Sequence, residues 1–209
     1  GEDHGTFVAG RVSAITNNLR GIAGMTETSV LSVRIAQGGS ISEGDELRGQ
    51  QWAYEQALAG LNIVGTNHSY VFSSARVCTA ADRMRGLGIV AFAAVGNFGH
   101  RTTGGNALYP AACGSVQGVG ASTAGAAVWE RTQRSQVTFT APGADVWSVC
   151  IASGGAFGYG PGSGTSFASP HALAVFILIN RVVDDPEVAL NIMRETAKTI
   201  VGPRPNHRA

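Results

Sequence analysis

Three short stretches of this 209-residue chain carry side chains that could act on a common substrate atom. Asp3-His4-Gly5-Thr6 sets an imidazole where a helix begins, ahead of a run of small residues. Ala94-Val95-Gly96-Asn97 ends an apolar run on a side-chain amide, at the strand terminus where α/β proteins place their sites. Gly164-Thr165-Ser166 puts a hydroxyl at the start of a long apolar segment. Hydroxyl, imidazole and amide are the parts that acyl transfer needs. The hydroxyl attacks a carbonyl, the imidazole takes its proton, and the amide N–H₂ meets the oxyanion that develops. Singly, each stretch has a plainer use. A His after an acid is a helix-cap neighbour, Gly-Asn-x-Gly is a turn with Asn at positive φ, and Gly-Thr-Ser is a helix cap. It is their joint occurrence that points to catalysis.

The elements that must position them can be read from hydrophobic periodicity. Apolar residues three to four apart predict a helix over 4–16, and β-rich residues bounded by turns predict a strand over 30–35. A second helix is expected over 43–59, a strand over 61–69 and a helix over 74–86. Residues 89–95 are continuously apolar, as in a strand buried on both faces. Short strands follow over 116–121 and 137–140. A helix apolar all round is expected over 166–180, and an amphipathic one over 185–199 with Pro186 in its first turn. Strand–helix alternation of this kind predicts an α/β fold in three layers, a parallel sheet covered on both faces.

Composition narrows the function classes. A net charge of +1 gives no electrostatic footprint for nucleic acid or an anionic membrane. Charged residues are only 14% and Gly residues number 29, which reads as a compact, turn-rich single domain over residues 1–209 rather than disorder. Lys198 is the sole lysine, so phosphate-binding loops of the Gly-Lys-Ser/Thr type are excluded. No stretch reads as long and apolar enough to span a bilayer, and no membrane insertion is expected. Cys78, Cys113 and Cys150 have no metal-ligand spacing and read as buried small hydrophobes, with Cys113–Cys150 pairing as the alternative. His68, His100 and His207 are not expected to cluster with carboxylates, and His171 reads as a packed core residue. No metal or other cofactor is predicted. A lone Gly118-Val119-Gly120 after a strand is a weak nucleotide-binding signal that lacks its third Gly.

The chain resembles the subtilisin-like serine proteases. An HGTxVAG box matches His4–Gly10, a GTSxAxPH box matches Gly164–His171, and an AAxGN segment matches Ala93–Asn97, in the family's order. Val119-Gly120-Ala121 and Thr140-Ala141-Pro142-Gly143 are weaker matches. The resemblance implies His4 as general base, Ser166 as nucleophile, and Asn97 as an oxyanion donor beside the Ser166 N–H. It implies an extended polypeptide as substrate, pairing with Ser69, Tyr70 and Val71, and walled by Ala93, Ala94, Val95 and Gly96. Gly39 and Ser40 would form the second flanking strand. Secretion follows from the resemblance alone. Tyr109-Pro110 falls at a family turn where a cis bond is common.

Departures from the pattern carry their own expectations. Val71 and Phe72 stand where glycines are usual. Val175, Phe176 and Ile177 replace small residues, so small residues must lie opposite to avoid about 1–3 kcal/mol of overpacking. Few carboxylates lie over 16–24, and no site for a hard cation is expected there. The largest departure is the triad Asp, which the family carries in a D-[ST]-G box on a strand upstream of the His. Only three residues precede His4, and Asp3 cannot point at its own neighbour. Asp45, Asp82, Asp145 and Asp184 fall in segments placed away from the imidazole. The fold is therefore expected to lack its N-terminal strand or strands, with an upstream segment or second chain supplying them and the Asp. Two function classes follow: a serine endopeptidase completed by that strand, or an incomplete subtilase-like module that binds a partner or peptide without turnover.

Overall fold

Residues 3–37, 39–99, 108–151 and 155–200 are described by the computed structural model of the chain. Helix α1 (His4–Ser13) is followed by the two-residue strands β1 (Ala36–Gln37) and β2 (Ser40–Ile41) and by α2 (Glu43–Leu58). Strand β3 (Gly65–His68), a 3₁₀ turn (Ala75–Val77), α3 (Cys78–Gly86), β4 (Val90–Ala94), β5 (Val116–Ser122) and β6 (Phe139–Pro142) come next. The chain then forms β7 (Val146–Ile151), β8 (Phe157–Gly162), α4 (Thr165–Val183) and α5 (Pro186–Thr196).

Strand β4 is buried at every position, and its alternating side chains serve two layers. Val90 and Phe92 join Val119, Ala121 and Phe139 against Ala172, Leu173 and Phe176 of α4 and Leu190 of α5. Ala91, Ala93 and Val95 face the other way, onto Val77 and Ala81. Strands β3, β4, β5 and β6 run parallel in that order, with Gly65 opposite Val90 and Gly120 opposite Thr140. This is the expected layering. Phe176 is fully buried, with its ring 5.6 Å from that of Phe92. Gly65 is a small residue opposite this helix: a Cβ there would stand 2.7 Å from Leu173 Cδ1 and 3.9 Å from Phe176 Cε1.

Five expectations are corrected. Residues 30–35 form no strand; Val30 and Leu31 are about half exposed, and Val33 and Ile35 lie over Gly49 of α2. β-propensity alone does not make a strand without a ladder partner, and β3 pairs only with β4 among the described residues, leaving its other edge open. Second, β7 and β8 form an antiparallel hairpin that the Gly-rich composition of 157–162 concealed. Third, α4 is long and apolar enough by length and composition to cross a bilayer, yet it is the core helix, packed on β3, β4, β5 and β6. Fourth, His68 does meet a carboxylate, that of Glu46, which sequence distance hid. Fifth, Cys78 is bonded to Cys113 across a separation of 35 residues, and Cys150 is free. Chain entropy then predicts that the Cys78→Ala/Cys113→Ala double variant is less stable by about 4 kcal/mol, to be read from urea unfolding midpoints. A loss below about 1 kcal/mol would show that the crosslink does not constrain the unfolded chain.

Candidate active site

The end of β4 delivers an amide to the start of α4. Gly96 turns the chain at φ +106, and a Cβ there would lie 2.9 Å from Leu108 Cδ1, so the turn requires glycine. Asn97 follows, half-buried, and its Oδ1 accepts from the Thr165 N–H at 2.8 Å and from Thr165 Oγ1 at 2.9 Å. Thr165 Oγ1 in turn accepts from the Gly96 N–H at 3.1 Å. With its oxygen engaged, Asn97 presents Nδ2, a donor, to the Gly164–Ser166 turn, and Nδ2 lies 3.3 Å from where a Gly164 Cβ would be. Thr165, fully buried, is thus the residue that orients Asn97. The Gly-Thr-Ser box contained it, but sequence reading gave it no role.

Ser166 stands in the first turn of α4, where N–H groups lack intrahelical partners and the helix dipole favours negative charge. Its side chain is half-buried, and Oγ donates to the Ser69 carbonyl at 3.2 Å. Ser69 Oγ donates to the Ser166 carbonyl at 2.6 Å and accepts from Asn67 Nδ2 at 2.8 Å. Ser169 Oγ, one turn along α4, donates to Asn67 Oδ1 at 2.7 Å. Asn67 and Ser69 therefore bind the end of β3 and the residue after it to the helix that carries Ser166.

His4 arrives on α1, which packs along α4. The Phe7 and Phe167 rings are 4.2 Å apart, and the His4 ring lies 5.5 Å from that of Phe167, the residue after Ser166. Ser148 Oγ donates to the Phe7 carbonyl at 2.7 Å and fixes α1 against β7. His4 is half-buried, and burial lowers its pKa below the ordinary 6.5. The Ser166 hydroxyl is turned to Ser69 rather than to His4, and among the described residues no carboxylate hydrogen-bonds the imidazole. Catalytic hydrogen bonds of unliganded sites are often long and close only around substrate.

Of the other expected site residues, Ser69, Tyr70 and Val71 lead out of β3 beside Ser166, and Ala93, Ala94, Val95 and Gly96 are buried at the end of β4. Phe72 pairs its backbone with Tyr109, next to the cis Tyr109-Pro110 bond. Gly39 and Ser40 lie in the β1–β2 hairpin, exposed, and Ser40 pairs with Gln37. His100 and His207 lie outside the described residues.

A subtilase family model matches residues 1–202 of the chain. The chain belongs to the subtilase family. This subtilase is 30% identical over 219 residues to an extracellular protease of Xanthomonas campestris and 32% identical over 201 residues to a minor extracellular protease of Bacillus subtilis. The alignments cover 95% of the chain in both cases, but only 37% and 29% of those relatives. A subtilisin of Bacillus pumilus is 30% identical over 86% of the chain and 63% of its own length. Among solved structures, a protease of Pseudoalteromonas arctica superposes with a TM-score of 0.81 at 27% identity, covering 94% of this chain and 64% of that one. The subtilase thus has a subtilisin-like α/β fold and is a member of a serine protease family.

One further pair bears on the subtilase's pH range. Arg11 Nη2 donates to His171 Nδ1 at 2.7 Å in a half-buried contact between α1 and α4, so His171 is not the packed core residue expected. Burial, and next the Arg11 charge, lower the His171 pKa from 6.5 to about 4. The folded state holds His171 neutral while the unfolded chain binds a proton below 6.5. Stability is therefore expected to fall by about 3 kcal/mol between pH 6.5 and 4 and then level off from this group. Urea midpoints across that range check it, and a His171→Leu variant should lose that part of the slope. An unchanged slope would refute the assignment.

Proposed function

We propose that this subtilase hydrolyses peptide bonds through an acyl-enzyme on Ser166. The observation that carries the reading is the seating of the Ser166 hydroxyl at the start of α4, between Ser69 and an Asn97 whose oxygen Thr165 holds. Ser166 Oγ attacks the scissile carbonyl, His4 takes its proton and returns it to the leaving amine, and the Asn97 amide with the Ser166 N–H receives the oxyanion. An extended polypeptide pairs its backbone with Ser69, Tyr70 and Val71, which gives affinity through main-chain hydrogen bonds. Ala93, Ala94, Val95 and Gly96 wall the first side-chain pocket, and Gly39 and Ser40 flank the peptide on its other side. When substrate N–H groups engage Ser69, its carbonyl has a new donor and the Ser166 hydroxyl can turn to His4.

The reading includes a strand bearing a carboxylate for His4, brought by an upstream segment or a second chain. The open edge of β3 among the described residues supports this, because its unpaired N–H and C=O groups are ones that a strand would satisfy. Secretion is part of the same reading and rests on relatives named as extracellular proteases.

The test is covalent labelling of Ser166 by a fluorophosphonate, with and without a peptide carrying a D-[ST]-G strand. Labelling located at Ser166 by peptide mapping supports the endopeptidase reading. No labelling in either state refutes it and leaves the second reading, a peptide-binding module, favoured by an imidazole to which no carboxylate is hydrogen-bonded among the described residues. Asn97→Ala should lower kcat by about 10²–10³ with KM nearly unchanged; that range was measured on subtilisin, of this same family. A KM effect with intact kcat would remove Asn97 from the oxyanion site.

A further inference from the structure

A buried polar cluster lies on the far side of β3 from Ser166. Glu46 of α2 is 1% exposed, and both its oxygens are bonded. Oε1 accepts from Gln50 Nε2 at 2.5 Å and lies 3.3 Å from His68 Nδ1; Oε2 accepts from the Tyr70 hydroxyl at 2.5 Å. The Tyr70 hydroxyl is also 2.7 Å from His68 Nδ1, and His68 Nε2 is 3.0 Å from Thr66 Oγ1. Burial raises the Glu46 carboxyl, but hydrogen bonds from His68, Tyr70 and Gln50 and the His68 charge outweigh it, leaving Glu46 below the usual carboxylate range. A buried carboxylate is expensive, and an apolar side chain of similar volume would serve the core as well or better. What the carboxylate adds is a fixed geometry.

That geometry is one residue away from Ser69. Side chains alternate across a strand and its continuation. Asn67 and Ser69 bond to Ser169 and Ser166 of α4 on one side. His68 and Tyr70 bond to Glu46 of α2 on the other. The residue that contacts the nucleophile is thus flanked on both sides by residues bonded to Glu46.

We propose that Glu46 is a positioning residue, which through His68 and Tyr70 holds the Ser69–Val71 segment in the register that an extended peptide pairs with. The proposal rests on the peptidase reading above. Glu46 touches neither substrate nor reacting atoms, so its contribution is confined to ligands that use the strand. A small fluorophosphonate needs only Ser166 and the oxyanion donors, whereas a tetrapeptidyl diphenyl phosphonate reacts with the same oxygen after pairing with the segment.

The experiment measures both second-order labelling rates of Ser166 and takes their ratio, in which any change in nucleophile reactivity cancels. Glu46→Leu should lower the peptidyl-to-small ratio about tenfold, on the scale of losing one hydrogen bond to a charged group, with the small-probe rate within about threefold of the parent. Glu46→Gln keeps the bulk and an oxygen for Tyr70, and should recover most of the ratio. A ratio unchanged in Glu46→Leu overturns the proposal while leaving the peptidase reading intact. Equal losses with both probes, together with a lowered melting temperature, also overturn it, since a merely structural role predicts that pattern. If neither probe labels the parent chain even with the D-[ST]-G strand peptide present, the peptidase reading fails and this inference falls with it.

Discussion

A peptide carrying a D-[ST]-G strand, added in saturating amount, is expected to raise acylation of Ser166 by a polypeptide of these 209 residues about 10⁴-fold. The magnitude is borrowed from subtilisin itself, where removal of the triad Asp alone lowers kcat about 3 × 10⁴-fold. The physical origin is orientation and charge. A carboxylate accepting from one ring nitrogen fixes the imidazole tautomer, leaves the other nitrogen basic and stabilises the imidazolium formed during attack. In the chain as described, His4 is held only by α1 and its contact with Phe167, and its pKa is lowered, chiefly by burial. A second readout follows from that direction. A neighbouring negative charge favours imidazolium, so the acid limb of the rate should move to higher pH as the strand binds. Binding of the strand with neither a rate increase nor a moved limb would sink the completion model.

The second large effect is a failure of additivity. Ser166→Ala in the strand-completed enzyme should lower kcat by about 2 × 10⁶, the value known for subtilisin. In the 209-residue polypeptide alone, the same substitution should cost only the quotient of the two subtilisin figures, about 70-fold. Groups that act as one unit lose most of their advantage when any member is missing, so the second deletion finds little left to remove. Comparing hydrolysis of one peptide substrate by parent and Ser166→Ala in the two states measures the coupling directly. Equal losses in both states would mean that Ser166 acts independently of the imidazole and its partner.

How far the sequence foretold the molecule depends on the range of each interaction. His4, Asn97 and Ser166 stand out as candidates because each lies in a local box whose neighbours, Gly96 and Thr165 among them, set the local turn. Strand β4 was legible because a run such as 89–95 has one environment in which it is stable. Residues 30–35 misled because their composition suits a strand while pairing depends on a neighbour far away in sequence. The Glu46–His68 contact and the Cys78–Cys113 bond also join separate elements, α2 to β3 and α3 to the turn after Pro110, and no local pattern announces them. Nothing local marks Thr165 within its Gly-Thr-Ser box, since its grip on Asn97 spans 68 residues.

The Cys78–Cys113 bond has a consequence for where such a chain can be made. It ties the first turn of α3 to the segment just before β5, so both sides of the layer behind β4 share one crosslink. In a glutathione-buffered cytosol those thiols would stay reduced, and the fold would have to form without the constraint. In an oxidising medium the bond closes, and Cys150 remains the one thiol among the described residues able to exchange with it. Preparations from the two environments are then different materials, distinguishable by counting free thiols before any activity is compared.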